Sequence, residues 1–446
     1  MMEMSKMKRV ALFLREMKQR RRVRRGIAFV FFPVAYILSF IHPYYGFSLL
    51  VKLYLTDLSL FDRIAAQRLR RMLSRSLPYY YSTQPEFQKD PEAPNNVEAE
   101  YIVLKPYISE NEKGVISIHW RWEVDIFARN YHVGEVLKRY NIILGADCFG
   151  TEWTYPFLAI MFAGDRLNGI VFSSVKDELT RERLSLMGFR TIPYGISCDY
   201  INPEKFMRLS SNTKVIDVTM VANWNFPIKR QYVLFKALER IVDDLNVVLV
   251  GFPSGGYTLE DIRALEAHYR IKRHHIRYYE NVSPQSVNDL LNKSKVLIVT
   301  SLMEGGNRAC FESFFANTPT IILAESLGVP KEYFNSNTGI LCKERKLHVA
   351  IEYMREHYMD FAPRDWALAN ISPKVTTDKM NAYLREFSVS NGMSWTVDLV
   401  EKQWVGQSFE YVDKDARHAF QRDYDFIKDC FKSGREINAR IESSVI

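Results

Sequence analysis

The sequence predicts an α/β protein: two Rossmann-like domains preceded by a helical, membrane-associating appendage. Three observations carry this. Short β-branched runs at 115–118, 142–144, 169–172, 218–221, 247–250, 296–299 and 320–323 alternate with stretches of helical spacing, the pattern of parallel sheets built from βαβ units. A length of 446 residues allows two domains with additions. An apolar stretch at 27–55 follows a dense basic cluster and belongs to neither sheet pattern.

The stretch 296–323 is the most informative. Val296, Leu297, Ile298 and Val299 form a buried-strand run ended by Thr300 and Ser301. A polar loop follows (Glu304, Gly305, Gly306, Asn307), then a helical run with Cys310, Phe311, Phe314 and Phe315, then Thr318-Pro319 and a second strand. In such a unit the loop falls at the carboxyl end of a parallel strand, where ligands bind. Amides of Gly305, Gly306 and Asn307 would open a helix and cradle phosphate. Glu304 and Glu312 would face one pocket and accept sugar or ribose hydroxyls. The plainer alternative makes Glu304 an exposed loop residue and Glu312 a solvated helix residue.

Glu304-x7-Glu312 followed by Thr318-Pro319 and an apolar strand resembles the signature of retaining glycosyltransferases of family four, which have the GT-B fold. Four further segments occur in that family's order. Ile192-Pro193-Tyr194-Gly195-Ile196-Ser197-Cys198-Asp199 resembles its interdomain link. Met220-Val221-Ala222-Asn223 with Lys229-Arg230, then 248–251, then Asn337-Thr338-Gly339-Ile340-Leu341 resemble its donor-domain motifs. The resemblance implies two lobes facing a cleft, a nucleotide diphosphate sugar as co-substrate, and neither metal nor cofactor; no Asp-x-Asp metal pair is read. It implies that Glu304 holds donor-sugar hydroxyls and Glu312 the ribose. Lys229, Arg230 and the Gly305, Gly306 and Asn307 amides would stabilise the diphosphate, and the loop after Gly251 would approach the base. Asn223 stands where the family has an arginine, so its diphosphate contact passes to Lys229 or Arg230. Arg308 adds a cation beside the phosphate loop, and no glycine-rich loop is evident in the N-terminal half.

The net charge of +8 is a property of the tail: residues 1–25 hold ten Lys/Arg against Glu3 and Glu16, leaving the rest balanced. A body without net basic charge argues against nucleic acid as partner. Five scattered cysteines with no C-x-x-C pair fit a reducing compartment. Met4, Met7, Val10, Leu14 and Met17 recur at helical spacing among cations, a basic amphipathic helix suited to anionic lipids. The unbroken apolar part, 27–41, is shorter than a spanning helix needs and contains Pro33. A shallow helical hairpin turning at His42-Pro43-Tyr44-Tyr45-Gly46 is expected, which puts the protein on the cytoplasmic face, peripheral or monotopic. A type II anchor of a luminal enzyme is the other reading. Residues 57–77 read as another amphipathic helix with a Ser59/Asp62 capping box, and 78–96 as linker.

In the first domain, His119 follows a strand end, where a histidine would contact the donor sugar or assist acceptor deprotonation. The loop 147–153 offers an acid and aromatics for sugar recognition. The expected division is 1–96 appendage, 97–205 acceptor domain, 206–385 donor domain, and 386–446 C-terminal helices crossing back. Glu304, Lys229 and His119 are the candidate catalytic residues. The acceptor expected is a lipid-linked sugar or surface glycan. A nucleotide-sugar epimerase of the same fold and a non-catalytic nucleotide-sugar-binding scaffold are the alternatives.

Overall fold

Apolar runs of three to six residues, most of them buried on both faces, set the two sheets of the chain. In a computed structural model, residues 21–41, 43–54, 61–83, 97–145, 153–166, 171–174, 178–210, 213–406 and 408–431 are described. They form two compact units.

The C-terminal unit comprises Ser197–Thr376 with Gln403–Ser408. Its strands are β6 (Ile216–Val221), β7 (Asn246–Gly251), β8 (His275–Glu280), β9 (Ser294–Val299), β10 (Thr320–Leu323) and β11 (Gly339–Cys342). All pairings are parallel, in the order β11-β10-β9-β6-β7-β8. The chain builds outward through β7 and β8, then returns to the other side of β6, so the strand order reverses between β6 and β9. That switch point is where crossovers diverge and open a crevice at the strand carboxyl ends. The inner strands are near-continuous apolar runs because helices cover both faces, with Val218, Met220, Leu249, Ile298 and Ile321 in one core. The edge strand β8, HIRYYE, alternates exposed and half-buried residues instead.

The N-terminal unit holds the five-stranded sheet β1 (Ile102–Lys105), β2 (Gly114–Ile118), β3 (Tyr140–Gly145), β4 (Val171–Ser174) and β5 (Arg190–Ile192) in sequential order. β1 runs antiparallel to β2 and the others are parallel. Residues 377–402 and those from Phe409 onward belong to this unit. The chain changes unit inside the helix Pro373–Ser390, not after it. The expected run of C-terminal helices is interrupted: Lys402–Trp404 and Phe409–Tyr411 are extended, and helix resumes at Ala416–Ala419 and Gln421–Asp429.

The described part of the appendage belongs to the N-terminal unit. Helices Arg21–Ile41 and Pro43–Tyr54 form a hairpin. They meet so closely that a Cβ on Gly46 would lie 2.3 Å from Ser39 Cα, so only glycine fits there. The third helix, Asp62–Thr83, runs past residue 77 into the expected linker. Arg68 on that helix donates to Ser39 Oγ at 2.7 Å and Ser39 O at 2.6 Å, with its guanidinium 3.5 Å from the Phe40 ring centroid. Tyr54 Oη donates to Arg183 O at 3.0 Å and anchors the hairpin to the body. The inward face (Ala28, Phe32, Ala35) is buried. The outward face is not: Val30, Val34, Ile37 and Ile41, at turn-by-turn spacing, are 56–67% exposed. No helix of the described residues is long and apolar enough to cross a membrane. The amphipathic helix expected at 4–17, the Ser59 cap and most of the 147–153 loop lie outside the described residues. Trp153, at the end of that loop, is buried edge-on to Tyr54.

Candidate active site

Lys229 and Glu304 come from the two strands that flank the reversal of strand order. After β6 the chain makes the short helix Phe226–Lys229, opened by Pro227, and Arg230 then adopts φ 59°. That left-handed residue separates the short helix from the next, which spans Gln231–Leu238. The turn leaves Lys229 at a helix end, its carbonyl accepting from Thr300 Oγ1 at 2.7 Å. Thr300 follows β9, so the two strand ends are tied together directly.

Glu304 is fixed by its backbone and its neighbours. Its amide donates to Leu327 O at 3.0 Å and Leu327 N to Leu302 O at 2.7 Å, so the segment after β10 clamps the loop. Lys229 Nζ stands 2.7 Å from Glu304 Oε1. Asn307 Nδ2 donates to the same oxygen at 3.1 Å, while Asn307 Oδ1 accepts from Cys310 N at 3.2 Å and caps the helix Arg308–Phe315. The lysine and glutamate side chains are 20% and 10% exposed, a pair desolvated enough to interact strongly and open enough to reach a ligand.

Glu312 sits on the helix one turn beyond Arg308. Burial pushes its carboxyl up to about 7, against the opposing pull of the Arg308 cation. Arg308 itself leans on Trp404, its guanidinium 4.6 Å from the ring centroid, and donates to Gly406 O at 3.3 Å. Gly305 and Gly306 are half-buried in the loop between Glu304 and the cap. Gly251 ends β7, where a Cβ would lie 2.4 Å from Ala222 O, so the strand end tolerates no side chain. Asn223 is held locally, its Oδ1 accepting from Asn225 N at 3.2 Å and its carbonyl from Gln231 Nε2 at 2.7 Å.

Two expected residues have partners of their own. The Arg230 guanidinium is nearly buried, paired with Glu344 at 2.5 Å and donating to Tyr232 Oη at 2.9 Å. Its charge is committed there, which leaves Lys229 as the cation beside Glu304. His119 belongs to the N-terminal unit, where its Nε2 lies 2.9 Å from Ser117 Oγ and meets Lys402 Nζ. An ammonium can only donate, so Nε2 accepts and the ring proton sits on Nδ1. Thr300 and Asn307's link to Glu304 were not singled out for these roles in the sequence; a threonine ending the strand and an asparagine three residues after the glutamate are the only signals. Two Asp-x-Asp pairs do occur, Asp413/Asp415 and Asp423/Asp425, which corrects the sequence reading. Asp423 accepts from Tyr140 Oη at 2.6 Å and Tyr107 N at 2.8 Å. Among the described residues no cluster of three or more His, Cys, Asp or Glu is placed to hold a metal ion.

Residues 202–360 match the family model described as "Glycosyl transferases group 1". No curated protein matches the chain. Among solved structures, Anabaena Alr3699/HepE in complex with UDP-glucose is similar at 12% identity, over 61% of this chain and 78% of that one, with a TM-score of 0.47. Sucrose-phosphate synthase from Thermosynechococcus elongatus is similar at 13% identity, over 73% and 80%, with a TM-score of 0.48. The lipopolysaccharide outer core galactosyltransferase WaaB is similar at 11% identity, over 74% and 82%, with a TM-score of 0.45.

Proposed function

We propose, from the match of residues 202–360 to the group 1 glycosyltransferase model, that this chain is a glycosyltransferase that moves a sugar from a nucleotide diphosphate sugar to a lipid-linked or surface-glycan acceptor, with retention at the anomeric carbon. The observation that carries the reading is the Lys229–Glu304 pair, 2.7 Å apart at the reversal of strand order. Departure of the diphosphate concentrates negative charge, and a fixed ammonium beside a helix N-terminus stabilises it as it develops. Glu304 accepts hydroxyl hydrogen bonds from the donor sugar, and its link through Asn307 keeps the carboxylate from swinging away. Glu312, once ionised, accepts from the ribose. Glu304, Lys229, Asn307, Arg308, Glu312 and the Gly251 strand end make up the donor set, with no metal or cofactor required.

The acceptor class follows from the appendage. The outward stripe of the Arg21–Ile41 helix presents large apolar side chains to solvent, directly after the basic run that begins at Lys18. An apolar stripe next to clustered cations suits an anionic leaflet, each cation adding about 1 kcal/mol near the surface. The protein is therefore assigned to the cytoplasmic face, peripheral or monotopic, where lipid-linked sugars lie.

The test is a nucleotide-sugar panel assayed for hydrolysis and for transfer to membrane lipids, with Glu304→Ala as control. Transfer that depends on Glu304 supports the reading; transfer unaffected by the substitution refutes it. Flotation with phosphatidylglycerol vesicles checks the membrane assignment, since Ile37→Asp with Ile41→Asp should release the protein. Unchanged flotation would refute the docking stripe.

A further inference from the structure

A cavity of about 260 Å³ opens in the N-terminal unit, lined by no residue of the unit that holds Lys229 and Glu304. Its floor is the end of β2. Ser117 and His119 line it, and the fully buried Lys402 stands behind them, 3.2 Å from Ser117 Oγ. Aromatic walls flank the floor: Phe409 lies 4.0 Å from the His119 ring, and Trp120 stacks on Trp122 with centroids 4.8 Å apart. Glu100 and Glu410 supply acceptors at the rim.

The rim also carries Lys414 and Arg417. Among the described residues neither forms an ion pair, although two carboxylates line the same cavity. Arg417 is steadied instead by the Tyr424 ring, 4.3 Å from its guanidinium carbon. A steadied guanidinium with its planar fork available matches a carboxylate or phosphate. The rest suits a hydroxylated ring: the C–H edges of a sugar are weakly positive and rest on aromatic faces, while its hydroxyls donate to carboxylates. The volume fits roughly one ring, at the small end of ligand pockets.

We infer that this cavity is a second carbohydrate site, selective for one sugar ring bearing an acidic substituent, which Arg417 and Lys414 recognise. The inference goes beyond the transfer reaction and does not depend on the donor set.

Calorimetric titration of the full chain with glucuronic acid, glucose 6-phosphate and glucose tests it, the two acids separating carboxylate from phosphate as the recognised group. At least one acid should bind about tenfold or more tighter than glucose. Lys414→Ala with Arg417→Ala should remove that preference; both side chains are exposed, so melting should not change. Trp120→Ala should weaken all ring ligands together. Glu304→Ala should leave acid binding intact while abolishing transfer, so failure of this inference and failure of the transfer reading are distinguishable. Glucose binding as tightly as both acids, no binding by any of the three, or acid preference surviving the double substitution would each overturn it.

Discussion

Two lysine–glutamate pairs of nearly equal length occupy the two units and do different work. Lys105 and Glu112 are 2.8 Å apart with side chains 0% and 3% exposed. Burial alone would push the Glu112 carboxyl up. Hydrogen bonds from Lys105, from Thr396 N and Oγ1 at 2.6 and 2.8 Å, and from Val397 N at 3.2 Å reverse that and hold it at about 2. The pair fastens the segment after the Pro373–Ser390 helix to β1. Lys229 and Glu304 lie 2.7 Å apart but keep an opening to solvent, and their supporting bonds come from Thr300 and Asn307, after the end of β9. Saturated by protein donors, the first pair has no valence left for a ligand. The second is oriented but under-saturated, which is what a site requires.

Substitution separates the two most sharply at Glu112. Glu112→Ala strands a fully buried ammonium and should cost about 3–5 kcal/mol in denaturant unfolding, with transfer retained by the folded fraction. Glu112 also has a pH signature. Its carboxyl is held below the ordinary 4.5, so its contribution is complete above that pH and is lost as pH falls toward 2. Glu112→Gln should flatten acid unfolding over that window. Loss of transfer without loss of stability in either variant would erase the distinction.

At Glu304 the expectation inverts. Glu304→Ala should lower turnover about 10²–10³-fold while shifting stability by under about 1 kcal/mol, since Lys229 retains access to water. An unfolding penalty as large as that of Glu112→Ala would make the second pair structural as well.

Glu312 gives a smaller, pH-resolved effect. Its folded carboxyl titrates near 7, so the folded state binds the extra proton between 4.5 and 7 and loses stability as pH rises through that range. Glu312→Gln should be more stable than the natural chain at pH 8 by on the order of 2 kcal/mol, with the difference gone at pH 4. Thermal melts at the two pH values decide it, and equal differences at both would remove the buried carboxyl from the account. Smallest of all, Asn307→Ala should cost about 1 kcal/mol as a lost helix cap and lower turnover through Glu304, whereas Asn307→Asp should keep the cap and still lower turnover. Normal turnover in the aspartate variant would show that the amide donor to Glu304 is dispensable.

The C-terminal unit is legible in the sequence because its signals are local. The strand 320–323 falls where expected, an apolar run bounded by a turn, and the helix Pro284–Asn292 is opened by a Ser283 cap and a proline. β8 carries no such signal because HIRYYE, lying at a sheet edge, lacks the apolar continuity of its neighbours. For Arg230 the reason is different. The resemblance implies a role shared with Lys229, but a left-handed turn sends neighbouring side chains in different directions, and its partner Glu344 lies 114 residues away. The meeting of His119 with Lys402 likewise joins residues 283 apart, which no spacing rule anticipates.

The polar edge of β8 bears on how copies of the chain meet. Wherever copies crowd together, exposed sheet borders would zip them into one another. His275, Arg277 and Glu280 along that border stand exposed and hydrated, and charge on an edge strand discourages such joining. The border is thus an insulating selvedge, letting neighbouring copies slide past one another.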